Sequence, residues 1–286
     1  MMGNSKTPHK LSKRGKVKDI YEYDEDHLMF EFSDRVSAFD FILPSIIPRK
    51  GEILCKFAQF WFQTLTYPNH FVKLIDNNKM VVKKLEMIKM ECVVRGYNYG
   101  SLYDRVNKGK VNLGTEIELA GELKEPFFDP TTKSDIKDRA ISKTEATSNG
   151  IVSSTEFDDL QETSIGLYKE MRQIAFKAGF IIADVKFEFG KDKEGNILLA
   201  DSVGPDEFRL WLRSQYKPGK TQDSYDKQII RDWLIEKKYR DSIENAIKKG
   251  IHPQIPSLPQ TLINETQKRY TIAYETITGK PFENVG

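Results

Sequence analysis

Apolar and polar positions alternate through residues 15 to 34, GKVKDIYEYDEDHLMFEFSD, around a central DEDH cluster. A period of two on either side of a polar break predicts two antiparallel strands joined by a turn. After Pro44 and Pro48 the period changes. Ile53, Leu54, Phe57, Phe60 and Trp61 recur at helical spacing, which predicts a helix over Glu52 to Leu65 with that face in the core. Residues 80 to 101, MVVKKLEMIKMECVVRGYNYGS, read as one strand passing through a short charged link into another. The link, Leu85 to Met90, divides the chain into an N-terminal β-rich lobe, residues 1–86, and a C-terminal α+β lobe, residues 87–286.

Residues 126–150 are too polar and broken for regular strands and read as a long surface loop. Leu160 to Lys177 again has helical spacing, and Gly179 stands where a left-handed C-cap is expected. A strand IIADVKFEFG, a KDKEGN turn and a strand Ile197 to Ala200 follow, then helices around Asp226 to Lys237 and Pro259 to Thr278. Pro253, Pro256 and Pro259 mark a connector between the last two, and the polar residues 1 to 13 are expected to fray. The fold class is α+β: antiparallel sheets first, helices towards the end.

Composition narrows the partners more than the fold. The 286 residues are 39% hydrophobic and 30% charged, but the charges cancel to +2, so nothing implies a nucleic-acid partner. Cys55 and Cys92 are too few for a disulfide framework or a four-cysteine zinc site, and a reducing cytoplasm fits them best. No apolar run approaches the ~18 residues of a membrane span, and the first residues lack the apolar centre of a signal peptide. The Asn264-Glu265-Thr266 sequon is then a chance match. The histidines at 9, 27, 70 and 252 have no metal-ligand spacing and receive no role.

Chemistry concentrates in a few stretches. In ADVKFEFG, Val185, Phe187 and Phe189 face one way while Asp184, Lys186 and Glu188 face the other. A hairpin centred near Lys193 and Glu194 sets Glu188 opposite Leu199 and Lys186 opposite Asp201. Glu188 and Asp201 then become diagonal neighbours, about 7 to 8 Å apart at their backbones and able to share a cation such as Mg²⁺. A solvated charged sheet face is the competing reading. Lys16 and Lys18, on one strand face beside Gly15, suit phosphate oxygens or simply solvent. Asp34, Arg35, Ser37 and Asp40 in SDRVSAFD suit a polar ligand or a self-tied loop. In ECVVRGYNYGS, Arg95 with Gly96, Gly100 and Ser101 suits an anion cradle or a strand-end cap. Neither familiar glycine-rich phosphate loop is present.

Taken in order, GKVKDIY, SDRVSAFD, ECVVRGYNYGS, DVKFEFG and LADSVGPDEFRLW resemble the motifs of the phosphoribosylaminoimidazole-succinocarboxamide synthase (SAICAR synthetase) family. The segment QDSYDKQIIRDWL, residues 222 to 234, resembles the eukaryotic-type and related longer members. The resemblance implies a two-lobed fold, distantly like ATP-grasp enzymes and protein kinases, with ATP between the lobes. It implies an ATP-dependent ligase of purine biosynthesis that joins a carboxyaminoimidazole ribonucleotide to L-aspartate through an acyl phosphate. Carried over by motif, Lys16, Lys18 and Lys186 would meet the ATP phosphates, Lys84, Glu86 and Met90 the adenine, and Glu188 and Asp201 would hold Mg²⁺. Asp34, Ser37, Arg95, Ser101 and Arg209 would bind the imidazole nucleotide, the last three at its phosphate. KSDIKDRAIS resembles the aspartate-side loop and points to Lys133 and Asp138 as catalytic beside Lys186.

One departure stands out. The family pattern D-E-x-x-P-D has Ser202 here in place of glutamate, and alternation puts Ser202 on the face opposite Asp201. Lys137 also stands where a histidine is common. The competing functions are a kinase-like phosphotransferase on another small metabolite, which would need no aspartate, and a non-catalytic nucleotide-binding relative, which would bind MgATP without turnover. The oligomeric state is left open, a homo-oligomer included.

Overall fold

The computed structural model describes residues 9–39, 41–133, 138–251 and 253–283. The chain opens with β1 (Leu11–Arg14), β2 (Lys18–Glu22) and β3 (His27–Phe32), continues into a small hairpin of β4 (Arg35–Ala38) and β5 (Phe41–Ile46), and then forms α1 (Lys50–Thr64). β6 (Phe71–Asp76) and β7 (Lys79–Lys83) complete an antiparallel sheet in the order β1-β2-β3-β7-β6. The predicted β2–β3 hairpin and α1 are present. Residues 11–14 do not fray, because β1 pairs with β2 along the sheet edge.

The second sheet is built around one long strand. β8 (Glu86–Met87), β9 (Met90–Tyr97), α2 (Ser101–Asn107), β10 (Glu122–Phe128), β11 (Thr131–Thr132), α3 (Lys143–Ser148) and α4 (Ser154–Lys177) lead to β12 (Phe180–Lys191). β13 (Ile197–Ala200) and β14 (Phe208–Leu212) follow. β12 pairs with β9 and β8, with β14 along residues 180–185, and with β13 along residues 188–191. Between its β14 and β13 stretches, the chain 201–207 leaves the sheet and returns, and Lys186 N–H donates to the Glu207 carbonyl at 2.8 Å. This gap is where the charged side chains gather. α5 (Gln228–Glu236), α6 (Tyr239–Lys248) and α7 (Gln260–Thr278) close the fold, which is α+β with antiparallel sheets.

Residues 126–133 and 138–150 hold more regular structure than the sequence suggests, since β10, β11 and α3 all draw on them. Short pieces of two to seven residues give no period to read. α4 begins earlier than its apolar spacing because Ser153 and Glu156 form a reciprocal capping box, and it ends before Gly179 at φ 84° as expected. One apolar core runs through both sheets, with Trp61, Phe57, Tyr168, Phe187 and Phe189 fully buried. A smaller cluster packs β4 and β5 against α5 through Val36, Leu43, Ile230 and Leu234. No described helix is long and apolar enough to cross a membrane.

Candidate active site

The charged face of β12 organises the site. Asp184, Lys186 and Glu188 share that face, as alternation predicts, and each meets a different set of partners. Lys186 Nζ donates to Glu91 Oε1 and Glu188 Oε1, both at 2.9 Å. Lys133, from the chain after β11, donates to the other Glu188 oxygen. Burial alone would lower the Lys186 and Lys133 ammoniums, but the carboxylates around them, Glu188 first, raise both. Burial raises Glu91, and the charge of Asp138 reaches it too, so Asp138 borders this cluster.

Asp201 joins the cluster by a route that alternation does not foresee. The observed register sets Glu188 opposite Ala200, one residue away from the predicted pairing with Leu199, which by itself would turn Asp201 to the other side. β13 ends at Ala200, however, and Asp201 takes a left-handed backbone with φ 62°. A non-glycine residue there costs about 1–3 kcal/mol unless its surroundings hold it. The turn re-aims the carboxylate, and Lys18 Nζ donates to Asp201 Oδ1 at 2.6 Å and to Ser202 Oγ at 3.1 Å. Asp201 and Ser202 thus meet the same ammonium, contrary to the expectation of opposite faces. Burial would raise the Asp201 carboxyl, but Lys18, Lys133 and Lys186 hold it well below the ordinary carboxylate range.

Two carboxylates and three lysines therefore converge at the sheet gap. Among the described residues no three His, Cys, Asp or Glu side chains gather as a metal cage. Glu188 and Asp201 nevertheless fit Mg²⁺, a cation that takes one or two carboxylates and completes its shell with water and phosphate oxygens. Their oxygens already attract three cationic groups, so the donor set has the required sign.

A second cluster lies where β12 meets β9 and β14. Arg95, 5% exposed, donates from Nε to Asp129 Oδ2 at 2.5 Å, from Nη1 to Asp184 Oδ2 at 3.3 Å and from Nη2 to Ser101 Oγ at 3.0 Å. Arg209 Nη1 donates to the same Asp184 oxygen, and Arg105 to Asp129. Gly100 makes this possible. It has φ 59°, and a Cβ there would stand 2.7 Å from Arg209 Nη2. Three guanidiniums thus converge on two shared carboxylates, which orient them for an anion.

A third, buried cluster supports the turn between Asp201 and Arg209. Lys50 Nζ donates to Asp206 Oδ2 at 2.8 Å, Tyr270 Oη to Asp206 Oδ1 at 3.0 Å, and Lys227 stands 3.9 Å from Oδ2. Lys227 also donates to Ser37 Oγ at 3.2 Å. Burial pushes the Lys227 ammonium down to about 8, while burial and the charge of Asp206 push the neighbouring Glu207 carboxyl up to about 8.

The remaining expected residues lie apart from these clusters. Asp34 accepts from the Arg49 and Gly51 N–H groups at the start of α1, so its carboxylate ties the chain locally. Lys16 is exposed in the bend between β1 and β2 and does not share a strand face with Lys18. Lys84 pairs with Glu22 on the surface, Glu86 is exposed on β8, and Met90 is fully buried. Asp40 and residues 134–137, Lys137 among them, lie outside the described residues. Residues 129, 184, 206 and 227 received no role from sequence. Asp184 carried a signal in its place on the charged face of β12, and Asp206 in closing the aspartate pattern that begins at Asp201.

Known proteins resemble this chain along nearly its whole length. The sequence profile of the family described as SAICAR synthetase matches residues 11–246. A phosphoribosylaminoimidazole-succinocarboxamide synthase of Nitrosopumilus maritimus is 49% identical over 268 residues, spanning 93% of this chain and 97% of that protein. One from Candida maltosa is 36% identical over 290 residues, spanning 96% of each. The SAICAR synthase of Saccharomyces cerevisiae, solved in complex with SAICAR, superposes with a TM-score of 0.83 at 33% identity, over 99% of both chains. A SAICAR synthetase solved with ADP superposes with a TM-score of 0.73 at 28% identity, over 95% of this chain and 99% of that one. With a family profile over most of its length and relatives spanning nearly all of it, the chain belongs to the SAICAR synthetase family.

Proposed function

We propose that the chain carries out the reaction of its family: ATP-dependent ligation of 5-amino-1-(5-phosphoribosyl)imidazole-4-carboxylate to L-aspartate, giving the succinocarboxamide, ADP and phosphate. The observation that carries this reading is the spacing along one face of β12. Asp184 holds Arg95 and Arg209, with Ser101 bonded to Arg95, while Lys186 and Glu188 lie two and four residues further on. At ~3.3 Å per residue, Asp184 and Glu188 are about 13 Å apart along the strand. That span suits an extended nucleotide with its phosphate at the arginines and its carboxylate at the lysines.

The lobe of residues 1–86 contributes Lys16 and Lys18 to the ATP phosphates, and the lobe of residues 87–286 contributes Lys186. Adenine rests against the linking segment at Lys84 and Glu86. Glu188 and Asp201 would hold Mg²⁺, which when bound supplies positive charge to the phosphate oxygens. The substrate carboxylate, a poor electrophile, attacks the γ-phosphorus. A carboxylate O–P bond forms, the bond to the ADP oxygen breaks, and the lysines stabilise the charge on the transferring group. The amine of L-aspartate, placed by Lys133 and Asp138, then attacks the acyl carbon. A C–N bond forms, the C–O bond to phosphate breaks, and the amine proton passes to the Asp138 carboxylate. Positioning and charge do the work, which is why no cysteine, serine–histidine pair or catalytic histidine is required. Ser37, which accepts from Lys227, lines the nucleotide side of the pocket. The ATP requirement and the buried free thiols of Cys55 and Cys92 support a cytoplasmic setting.

The test is ADP release with MgATP, the carboxyaminoimidazole nucleotide and L-aspartate, each omitted in turn. Release that needs all three, with the succinocarboxamide seen by mass, is the expected result. Release without aspartate would make the protein a phosphotransferase, and ATP binding without release would make it a non-catalytic relative. Gly100→Ala should raise KM for the imidazole nucleotide about ten- to a hundredfold, the worth of one charge-assisted hydrogen bond, because its Cβ displaces Arg209. An unchanged KM would remove Arg209 from the phosphate site.

A further inference from the structure

Asp201 faces the lysines only because its backbone is left-handed, and that turn needs something to hold it. The segment before β6 runs beside the end of β13. Leu199 N–H donates to the Pro68 carbonyl at 2.9 Å, and His70 N–H donates to the Leu199 carbonyl at 3.0 Å. The His70 carbonyl accepts from Lys83 N–H at 2.7 Å, so the residue is fixed to the first sheet as well. Its ring is 2% exposed and lies edge-on to Phe30 and Phe62, with centroids 5.6 and 5.2 Å away. From that apolar slot its Nε2 reaches one polar atom, the Asp201 carbonyl, at 3.2 Å. A carbonyl only accepts, so Nε2 carries the proton.

We propose that His70 is a positioning residue: its Nε2–H grips the Asp201 carbonyl and holds the left-handed turn that aims the carboxylate into the site. The ring's packing fixes the donor, the donor fixes the backbone, and the backbone fixes the carboxylate. A core histidine that merely satisfied itself could do so against any carbonyl. This one is bonded to the residue at which β13 leaves the sheet and strand alternation is broken.

The inference rests on Asp201 being a site carboxylate, and the experiment separates the two. His70→Phe keeps the ring shape between Phe30 and Phe62 and removes the donor. His70→Gln loses the ring and keeps a donor. His70→Phe should lower kcat and weaken MgADP, measured by titration calorimetry, each by about 10- to 100-fold, as loss of a ligand's supporting hydrogen bond does. ADP affinity in EDTA and KM for the imidazole nucleotide should stay unchanged, and His70→Gln should recover most of the MgADP affinity. In an Asp201→Asn background His70→Phe should add little, because both act through one carboxylate. Wild-type MgADP affinity in His70→Phe, or losses that follow melting temperature alike in both variants, would overturn the proposal. If Asp201→Asn itself proves fully active, the underlying site assignment fails instead.

Discussion

Asp201→Asn is expected to lower kcat about 10²- to 10³-fold, the usual cost of removing one electrostatic group from a preorganised site, in a chain that remains folded. The substitution is close to a pure removal of charge. Asparagine tolerates the left-handed region as well as aspartate does, so φ 62° is retained, and its amide oxygen can still accept from Lys18. What changes is the balance around the sheet gap. Lys18, Lys133 and Lys186 would then gather with one negative charge fewer, and a cation held with Glu188 would lose one of its two carboxylates. Circular dichroism and thermal melting check the fold, and steady-state ADP release checks the chemistry. Near wild-type turnover would exclude the Asp201 charge from the chemistry.

The same residue shows what the sequence could and could not convey. The charged face of β12 was legible because Asp184, Lys186 and Glu188 alternate with Val185, Phe187 and Phe189, and period two needs no knowledge of neighbours. The register of the β12–β13 hairpin was not, because it depends on one residue of loop length. Lys191 pairs with Ile197, and the five intervening residues include Gly195 at φ 85°, an odd-membered loop that moves the pairing by one. Had β13 continued, the slip would have carried Asp201 away from Glu188. The left-handed turn at Asp201 brings it back, and nothing in the sequence announces a left-handed aspartate.

The arginine cluster divides along the same line. Arg95, Ser101 and Arg209 came from motifs, but Asp184 and Asp129, which hold the guanidiniums in place, come from strands paired or looped far apart in sequence. Lys50 was the least legible residue. A lysine in the first turn of an apolar helix opposes the helix dipole and looks like a surface charge. Its reason for being there is 156 residues away.

Lys50→Met is expected to be the most destabilising single change. The Lys50 side chain has no exposure and that of Asp206 has 3%, and removing one partner of such a pair costs about 3–5 kcal/mol because the other charge stays buried. For a chain of this size that corresponds to a fall in melting temperature of roughly 5–8 °C. The loss should also depend on pH. Burial would raise the Asp206 carboxyl, but Lys50, Lys227 and Tyr270 hold it well below its ordinary value. A depressed carboxylate contributes stability that is fully present above its unfolded value, near 4, and is lost as pH falls through the folded one. Without Lys50 the balance shifts towards burial, and Asp206 takes up a proton at higher pH. The gap between wild type and Lys50→Met should therefore be widest at pH 7 and narrow as pH falls towards 4 and below. Thermal melts at intervals across that range test it, and a gap that does not change with pH would mean that lost packing, not the ion pair, sets the cost. Because Asp206 lies in the turn that carries the chain from Asp201 to Arg209, the same variant should lose affinity for the imidazole nucleotide well below its melting temperature. The ion pair from α1 thus supports the chain that links the two halves of the site.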